Sequence, residues 1–255
     1  MTSNNAIQRF SRTVEYYVKY RPAYPQAIFD FLVRECELSD ETLVADIGSG
    51  TGLMARLFLK NGYSVIGVEP NDQMRQVGQQ LLKDYPRFTS LKGTAEATTL
   101  PNQSVDLIAV GEAFHWFEPL ATRQEFVRLL KPGGWVVIAR NVPRHDTPFL
   151  AAHQQLKLKY REKNSPSRFT AETADEKIRT FFAPQEVKLQ RFDNAQTFDY
   201  DGLKGRLLSA SHSPKPEQPE YEAMLHELEA LFETYQKDNQ VTLAYDCMVH
   251  YGQLA

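Results

Sequence analysis

Val44-Ala45-Asp46-Ile47-Gly48-Ser49-Gly50-Thr51-Gly52 is the stretch on which the fold turns. The run Thr42–Ile47 is apolar and rich in β-branched residues, as a buried strand requires. Three glycines at alternate positions then permit a tight strand-to-helix turn and let a ligand come close to the backbone. Leu53–Asn61 follows as a helix, ended by Lys60 and Gly62, whose first N–H groups and positive dipole end suit a carboxylate or phosphate. Dinucleotide-binding loops favour G-x-G-x-x-G. Here the spacing is G-x-G-x-G, with an acid two positions before the first glycine. That pattern fits a nucleoside with an amino-acid tail better than a pyrophosphate.

Outward from this loop, strand-like and helix-like segments alternate. Ser64–Val68, Phe88–Lys92, Val105–Val110 and Trp135–Ala139 read as strands. Asn71 caps a helix with Met74, Val77, Leu81 and Tyr85 on its apolar face, and Thr122–Leu130 forms a helix stopped by Lys131-Pro132-Gly133-Gly134. Such alternation predicts a doubly wound, mostly parallel α/β sheet with right-handed crossovers. The flanks read differently. Residues up to about 40 are helical and aromatic-rich, with Pro25 opening a helix that carries Ile28, Leu32 and Cys36. Helices are expected over 147–163, 172–182 and 218–237, a proline-rich loop over Ser211–Glu220, and strands over Glu186–Phe192 and 241–251. The last two strands predict an antiparallel edge on the parallel sheet.

The chain of 255 residues, 42% of them hydrophobic and 24% charged, is long enough for one substantial core. Its 29 Lys+Arg against 32 Asp+Glu leave a net charge of −3, which argues against a dedicated nucleic-acid binder. No apolar run approaches a membrane span, and Met1–Phe10 reads as polar rather than as a secretory leader. Cys36 and Cys247 are too few and too far apart for a disulfide framework or zinc site. A cytoplasmic protein is expected.

Five ordered segments between residues 40 and 140 resemble the class I S-adenosylmethionine-dependent methyltransferases. The glycine loop is similar to their first motif. Val65-Ile66-Gly67-Val68-Glu69-Pro70-Asn71 is similar to the second, its acid standing 17 residues after Gly52. Gly93-Thr94-Ala95-Glu96 with Leu100-Pro101, Val105-Asp106-Leu107-Ile108, and Phe126–Gly134 complete the series. The resemblance implies a Rossmann-like seven-stranded sheet and S-adenosylmethionine as cofactor, with S-adenosylhomocysteine as product. It implies cofactor contacts from Asp46, Gly48, Ser49, Gly50, Gly52, Glu69, Pro70, Met74, Thr94, Ala95, Glu96 and Gly111. Glu69 would accept two hydrogen bonds from the ribose diol. Many members carry an acid where Thr94 stands.

Gly111-Glu112-Ala113-Phe114-His115-Trp116-Phe117, together with Tyr16-Tyr17-Val18-Lys19-Tyr20-Arg21-Pro22, resembles the type 11 and trans-aconitate-methyltransferase-like small-molecule branch. From it Tyr20 and Arg21 are expected to reach the cofactor, Arg21 through its carboxylate or else through an acidic substrate. Tyr16, Tyr17, Trp116, Arg140 and Asn141 are expected at the acceptor, with Arg144 and His145 leaving the same strand. His115 is the candidate base, needed for a phenol, amine or carbon acid but not for a carboxylate. A single domain over 1–255 is expected. Its core is 40–140 with 185–193 and 240–252, and its lid is 1–40, 141–184 and 200–237. The expected reaction is O- or C-methylation of a small, anionic, carboxylate-bearing metabolite, with no metal. A nicotinamide oxidoreductase and a non-catalytic cofactor binder are the alternatives. The first is disfavoured by the glycine spacing and the second by the intact glycines and Glu69.

Overall fold

The computed structural model describes residues 14–161, 171–210 and 212–254. In chain order the elements are α1 (Val14–Tyr20), α2 (Gln26–Glu35), β1 (Leu43–Ile47), α3 (Leu53–Leu59), β2 (Ser64–Val68), α4 (Asp72–Leu81), β3 (Phe88–Leu91) and β4 (Val105–Gly111). After a 3-10 turn at Phe114–Trp116 come α5 (Pro119–Leu129), β5 (Leu130–Pro143), α6 (Pro148–Lys159), α7 (Ala171–Phe182), β6 (Lys188–Phe198), α8 (Tyr200–Leu208), α9 (Glu220–Tyr235) and β7 (Val241–Gly252).

The sheet has seven strands in the order β3-β2-β1-β4-β5-β7-β6. β1 through β5 are parallel, and β7 runs antiparallel to both β5 and β6, so the expected antiparallel edge is the β7–β6 pair. Side chains alternate across this sheet, and each set closes its own core. Val44, Leu107, Ala109, Val137 and Ala139 pack with α2 and α3 on one face. Ala45, Ile108, Val110, Val136 and Ile138 pack with Phe126 of α5 and with Ile178 and Phe181 of α7 on the other. Strands covered on both faces read as continuous apolar runs, which is why β1, β4 and β5 were legible in the sequence.

Three elements depart from the sequence reading. β5 and β6 extend well past Trp135–Ala139 and Glu186–Phe192, because β7 offers a continuous ladder from Val136↔Gly252 to Pro143↔Tyr245 on one side and from Lys188↔Tyr251 to Phe198↔Val241 on the other. Backbone pairing carries those polar stretches where side-chain pattern gave no signal. On α4 the buried line is Met74, Gly78 and then Leu82, while Leu81 is 47% exposed and the helix stops before Tyr85. The cause is the closeness of the glycine loop: a Cβ on Gly78 would stand 3.0 Å from the Gly50 carbonyl oxygen.

A third apolar cluster joins Phe149, Leu150 and Leu156 of α6, Leu203 and Leu207 of α8, Leu228 and Phe232 of α9, and Leu243 and Tyr245 of β7. These helices form a lid on the overhanging end of the β6–β7 ladder. α6 accounts for the described part of the helix expected over 147–163; residues 162 and 163, like residues 1–13, lie outside the described ones.

Candidate functional site

The glycines at 48, 50 and 52 all adopt positive φ, at 71°, 56° and 86°, a conformation that costs an L side chain energy. Space forbids side chains as well, for a Cβ on Gly48 would meet the Ala113 Cβ at 2.6 Å and one on Gly52 the Leu82 Cδ1 at 2.5 Å. The loop is tied to β2: Gly48 N and Ser49 N donate to the Val68 carbonyl at 2.9 and 3.1 Å, and Gly50 N donates to Glu69 Oε2 at 2.8 Å.

Asp46 ends β1 fully buried. Its Oδ2 accepts from Ala55 N at 2.9 Å, while Oδ1 has no partner among the described residues. Burial pushes its carboxyl up to about 7, against the Ala55 N–H and helped by the nearby charge of Glu69. Glu69, 8% exposed, lies across the loop at the end of β2. Its Oε1 accepts from Asn71 N at 2.8 Å and its Oε2 from Gly50 N, while burial raises its pKa. Each oxygen keeps a second lone pair.

Past β3, Thr94 N donates to the Ala97 carbonyl at 3.2 Å, Ala95 is buried, and Glu96 accepts from Glu118 N at 3.0 Å. This segment is held by Glu125 of α5, whose Oε1 takes both Thr98 N and Thr98 Oγ1, at 2.8 and 2.6 Å. The Arg128 guanidinium keeps Glu125 ionised, with a pKa near 2.

A pocket of about 1160 Å³, counted to its open mouth, begins at Asp46, Gly48 and Ser49 and passes the end of β4 at Gly111 and Glu112. It continues to Asn141 and Arg144 of β5, then to His153 and Lys157 of α6 and Arg206 of α8. Of the expected residues, Asp46, Gly48, Ser49, Gly111, Arg21 and Asn141 line this space, as do Arg144 and His145. Arg21 also donates to the Ser209 carbonyl at 3.1 Å.

The remaining expected residues stand elsewhere. Gly50, Gly52, Glu69, Pro70, Met74 and Thr94–Glu96 fall outside that lining, with Glu69 and Met74 standing against Gly50. Tyr20 packs on α8, where a Cβ on Gly205 would lie 2.0 Å from its ring, stacks with Tyr16 and meets Phe198 edge-on. It joins α1 to the lid and does not reach the pocket. Arg140 forms an ion pair with Asp175 of α7, beside the buried His250, which places it at a helix joint and not at an acceptor. Tyr16 is 43% exposed, and the Tyr17 side chain lies outside the described residues. His115 and Trp116 lean on each other at 4.7 Å on an exposed turn beyond the pocket wall. The bulk of protein around His115 and the cations Lys177, Arg21 and Arg140 hold its pKa at about 4, although its open ring weakens the first effect.

Sequence reasoning missed Glu112, His153, Gln154, Lys157 and Arg206. A signal existed: on α6, His153 and Lys157 share the stripe of Leu150 and Leu156 at helical spacing, so polar groups occupy positions an apolar face should hold. Glu112 adopts positive φ, 55°, and its carboxylate accepts from Asn141 N.

Residues 45–138 match the family model of a methyltransferase domain. The chain is 27% identical to an uncharacterized methyltransferase of Schizosaccharomyces pombe over 226 residues, 88% of this chain and 87% of that one. It is 34% identical to an uncharacterized methyltransferase of Mycobacterium tuberculosis over 125 residues, 49% of each, so the match spans about half of that relative. Among solved structures it is similar in fold to one described as a type II methyltransferase, from Anaeromyxobacter dehalogenans, with a TM-score of 0.70 at 21% identity, over 92% of this chain and 98% of that one.

Proposed function

We propose that this chain, whose residues 45–138 match a methyltransferase domain model, is an S-adenosylmethionine-dependent methyltransferase that methylates a small anionic acceptor, a carboxylate-bearing metabolite, inside the pocket between the sheet and the lid. The observation that carries this reading is the pocket's continuity, from the unpartnered Asp46 Oδ1 at one end to Lys157 and Arg206 at the other. The donor set also fits the cofactor. Asp46 Oδ1 would hold the ammonium of its methionine part, Arg21 the carboxylate, and Glu69 the ribose hydroxyls through its spare lone pairs. Ser49 and the loop glycines would line the approach, with Pro70, Met74 and the Thr94–Ala95 turn around the adenine.

The sulfonium supplies an activated methyl: as the acceptor's lone pair forms the new bond to carbon, the carbon–sulfur bond breaks and its electron pair returns to sulfur. The protein's task is therefore positioning. Aligned proximity is worth on the order of 7–11 kcal/mol in model reactions, and the lid helices exclude the water that would compete for the acceptor. A carboxylate acceptor is already ionised and needs no base, in keeping with the place of His115 outside the pocket wall.

This division of labour takes the chain as one domain over 1–255, with lid elements over 1–40, 141–184 and 200–237. The test is incubation with methyl-labelled cofactor and a metabolite extract separated by anion exchange, followed by mass spectrometry. Label in a small acid or its ester is expected. Label confined to protein, nucleic acid or uncharged metabolites would overturn the reading.

A further inference from the structure

Strand β6 turns four alternate residues, Phe192, Asn194, Gln196 and Phe198, toward the N-terminal part of the chain. The outer two make aromatic contacts. Phe192 meets Phe31 of α2 edge-on, ring centroids 5.4 Å apart, and Phe198 meets Tyr20 of α1 at 6.3 Å. Between them stand two amides, where a half-buried strand face would ordinarily continue with apolar side chains. Opposite those amides run residues 21–25, which join α1 to α2 and belong to no helix or strand.

A connecting segment has no ladder to satisfy its backbone, and Pro22 has no N–H to give. The amides of β6 take up that task. Gln196 Nε2 donates to the Tyr20 carbonyl at 3.1 Å, and Asn194 Nδ2 donates to the Ala23 carbonyl at 2.8 Å. These two carbonyls flank Arg21, which lines the pocket together with Asp46, Gly48 and Ser49. Both amides are themselves anchored on the pocket wall. Asn194 Nδ2 also donates to Asn141 Oδ1 at 2.8 Å, and Gln196 Oε1 accepts from Tyr245 Oη at 3.3 Å. Each amide thus grips a wall residue on one side and, on the other, the stretch of chain that carries Arg21.

We propose that Asn194 and Gln196 are positioning residues of the cofactor site: they fix the main chain on either side of Arg21, so that its guanidinium stands where the carboxylate of the cofactor's methionine part binds. This rests on the assignment of Arg21 made above. A guanidinium on a loose segment would lose conformational freedom each time it closed on its ligand. Holding the backbone in the bound arrangement beforehand removes part of that cost. The consequence is confined to one end of the cofactor. Ribose and adenine are assigned to Glu69 and its neighbours, so loosening residues 21–25 weakens the hold on the amino-acid tail and leaves the nucleoside part as it was.

The experiment titrates the full chain by calorimetry with S-adenosylhomocysteine and with methylthioadenosine, which keeps the adenine, ribose and thioether but lacks the amino-acid tail. Asn194→Leu and Gln196→Met nearly preserve size and remove the donors. Each is expected to weaken S-adenosylhomocysteine about fivefold, the scale of one hydrogen bond, and to leave methylthioadenosine within about twofold of the wild type. Arg21→Met is expected to weaken S-adenosylhomocysteine alone, by about tenfold, as loss of a charge-assisted pair should. In the Arg21→Met background the β6 substitutions should then add nothing. Equal weakening of both ligands by the β6 substitutions, or losses that add to that of Arg21→Met, overturns the positioning role. Unchanged affinity in both β6 variants beside a loss in Arg21→Met overturns it too, and leaves the carboxylate assignment standing. Wild-type affinity for S-adenosylhomocysteine in Arg21→Met overturns that assignment itself, and the positioning role with it.

Discussion

Glu69 illustrates how one side chain serves fold and ligand together. From sequence, its removal is expected to cost much of the cofactor affinity with little change in fold. The structure makes that expectation too simple, because its two oxygens take the Gly50 and Asn71 amides. Glu69→Ala leaves two buried donors unanswered, at about 1–3 kcal/mol each, so the expected outcome is a lower melting temperature as well as cofactor affinity reduced tenfold or more. Glu69→Gln keeps one acceptor oxygen and should recover stability sooner than affinity; thermal melts beside calorimetry separate the two. Asp46 yields a pH signature. Its folded pKa is raised from 3.8 to about 7, so its contribution to the stability of the free protein is full below about 4 and is lost as pH rises to 7. Cofactor binding has the opposite sign: the ammonium needs the ionised carboxylate, so affinity should weaken as pH falls below 7 and binding there should release a proton. Titrations at pH 6 in buffers of different ionisation enthalpy would register that proton, and in Asp46→Asn it should vanish.

At the scale of elements, α4 shows what a sequence pattern omits. The start was readable, since Asn71 Oδ1 accepts from Met74 N at 3.0 Å as an N-cap should. Asn71→Ala is expected to cost about 1 kcal/mol, visible as a shift in denaturant midpoint. The buried face was not readable, because its middle residue is a glycine. Hydrophobic periodicity counts side chains and cannot register a contact made by the lack of one. Gly78→Ala, favourable for an isolated helix by about 1 kcal/mol, should here be destabilising, pressing on the Gly50 carbonyl 3.0 Å away and lowering both melting temperature and cofactor affinity. On α6 the reverse holds. Its stripe carries the polar His153, which is buried because the lid folds that face over the pocket.

On the scale of the molecule, the proposed cofactor and acceptor functions fall on different parts of the chain. Residues 45–138 supply the strand ends and the glycine loop, while α6, α8 and the β6–β7 overhang supply the far wall. α1 is pinned to α8 by Tyr20 lying on Gly205, the contact that sets Arg21 in the pocket. Gly205→Ala should push that ring away at about 1–3 kcal/mol for overpacking. It is expected to raise the KM of the acceptor more than the Kd of S-adenosylhomocysteine, and steady-state kinetics beside a binding titration checks the order of the two effects. No helix among the described residues is long and apolar enough to cross a membrane.

By itself, the sequence determined the parallel core, the glycine loop and the positions of Asp46 and Glu69, because strand burial, turn geometry and helix capping depend on neighbours a few residues apart. Tertiary structure alone decided that Arg140 and Tyr20 serve helix joints, that Glu69 is part of the scaffold, and that Lys157 and Arg206, 49 positions apart, face one cavity. Charge convergence is a property of distance in space, and it emerges only when a long antiparallel ladder carries the lid helices back over the strand ends.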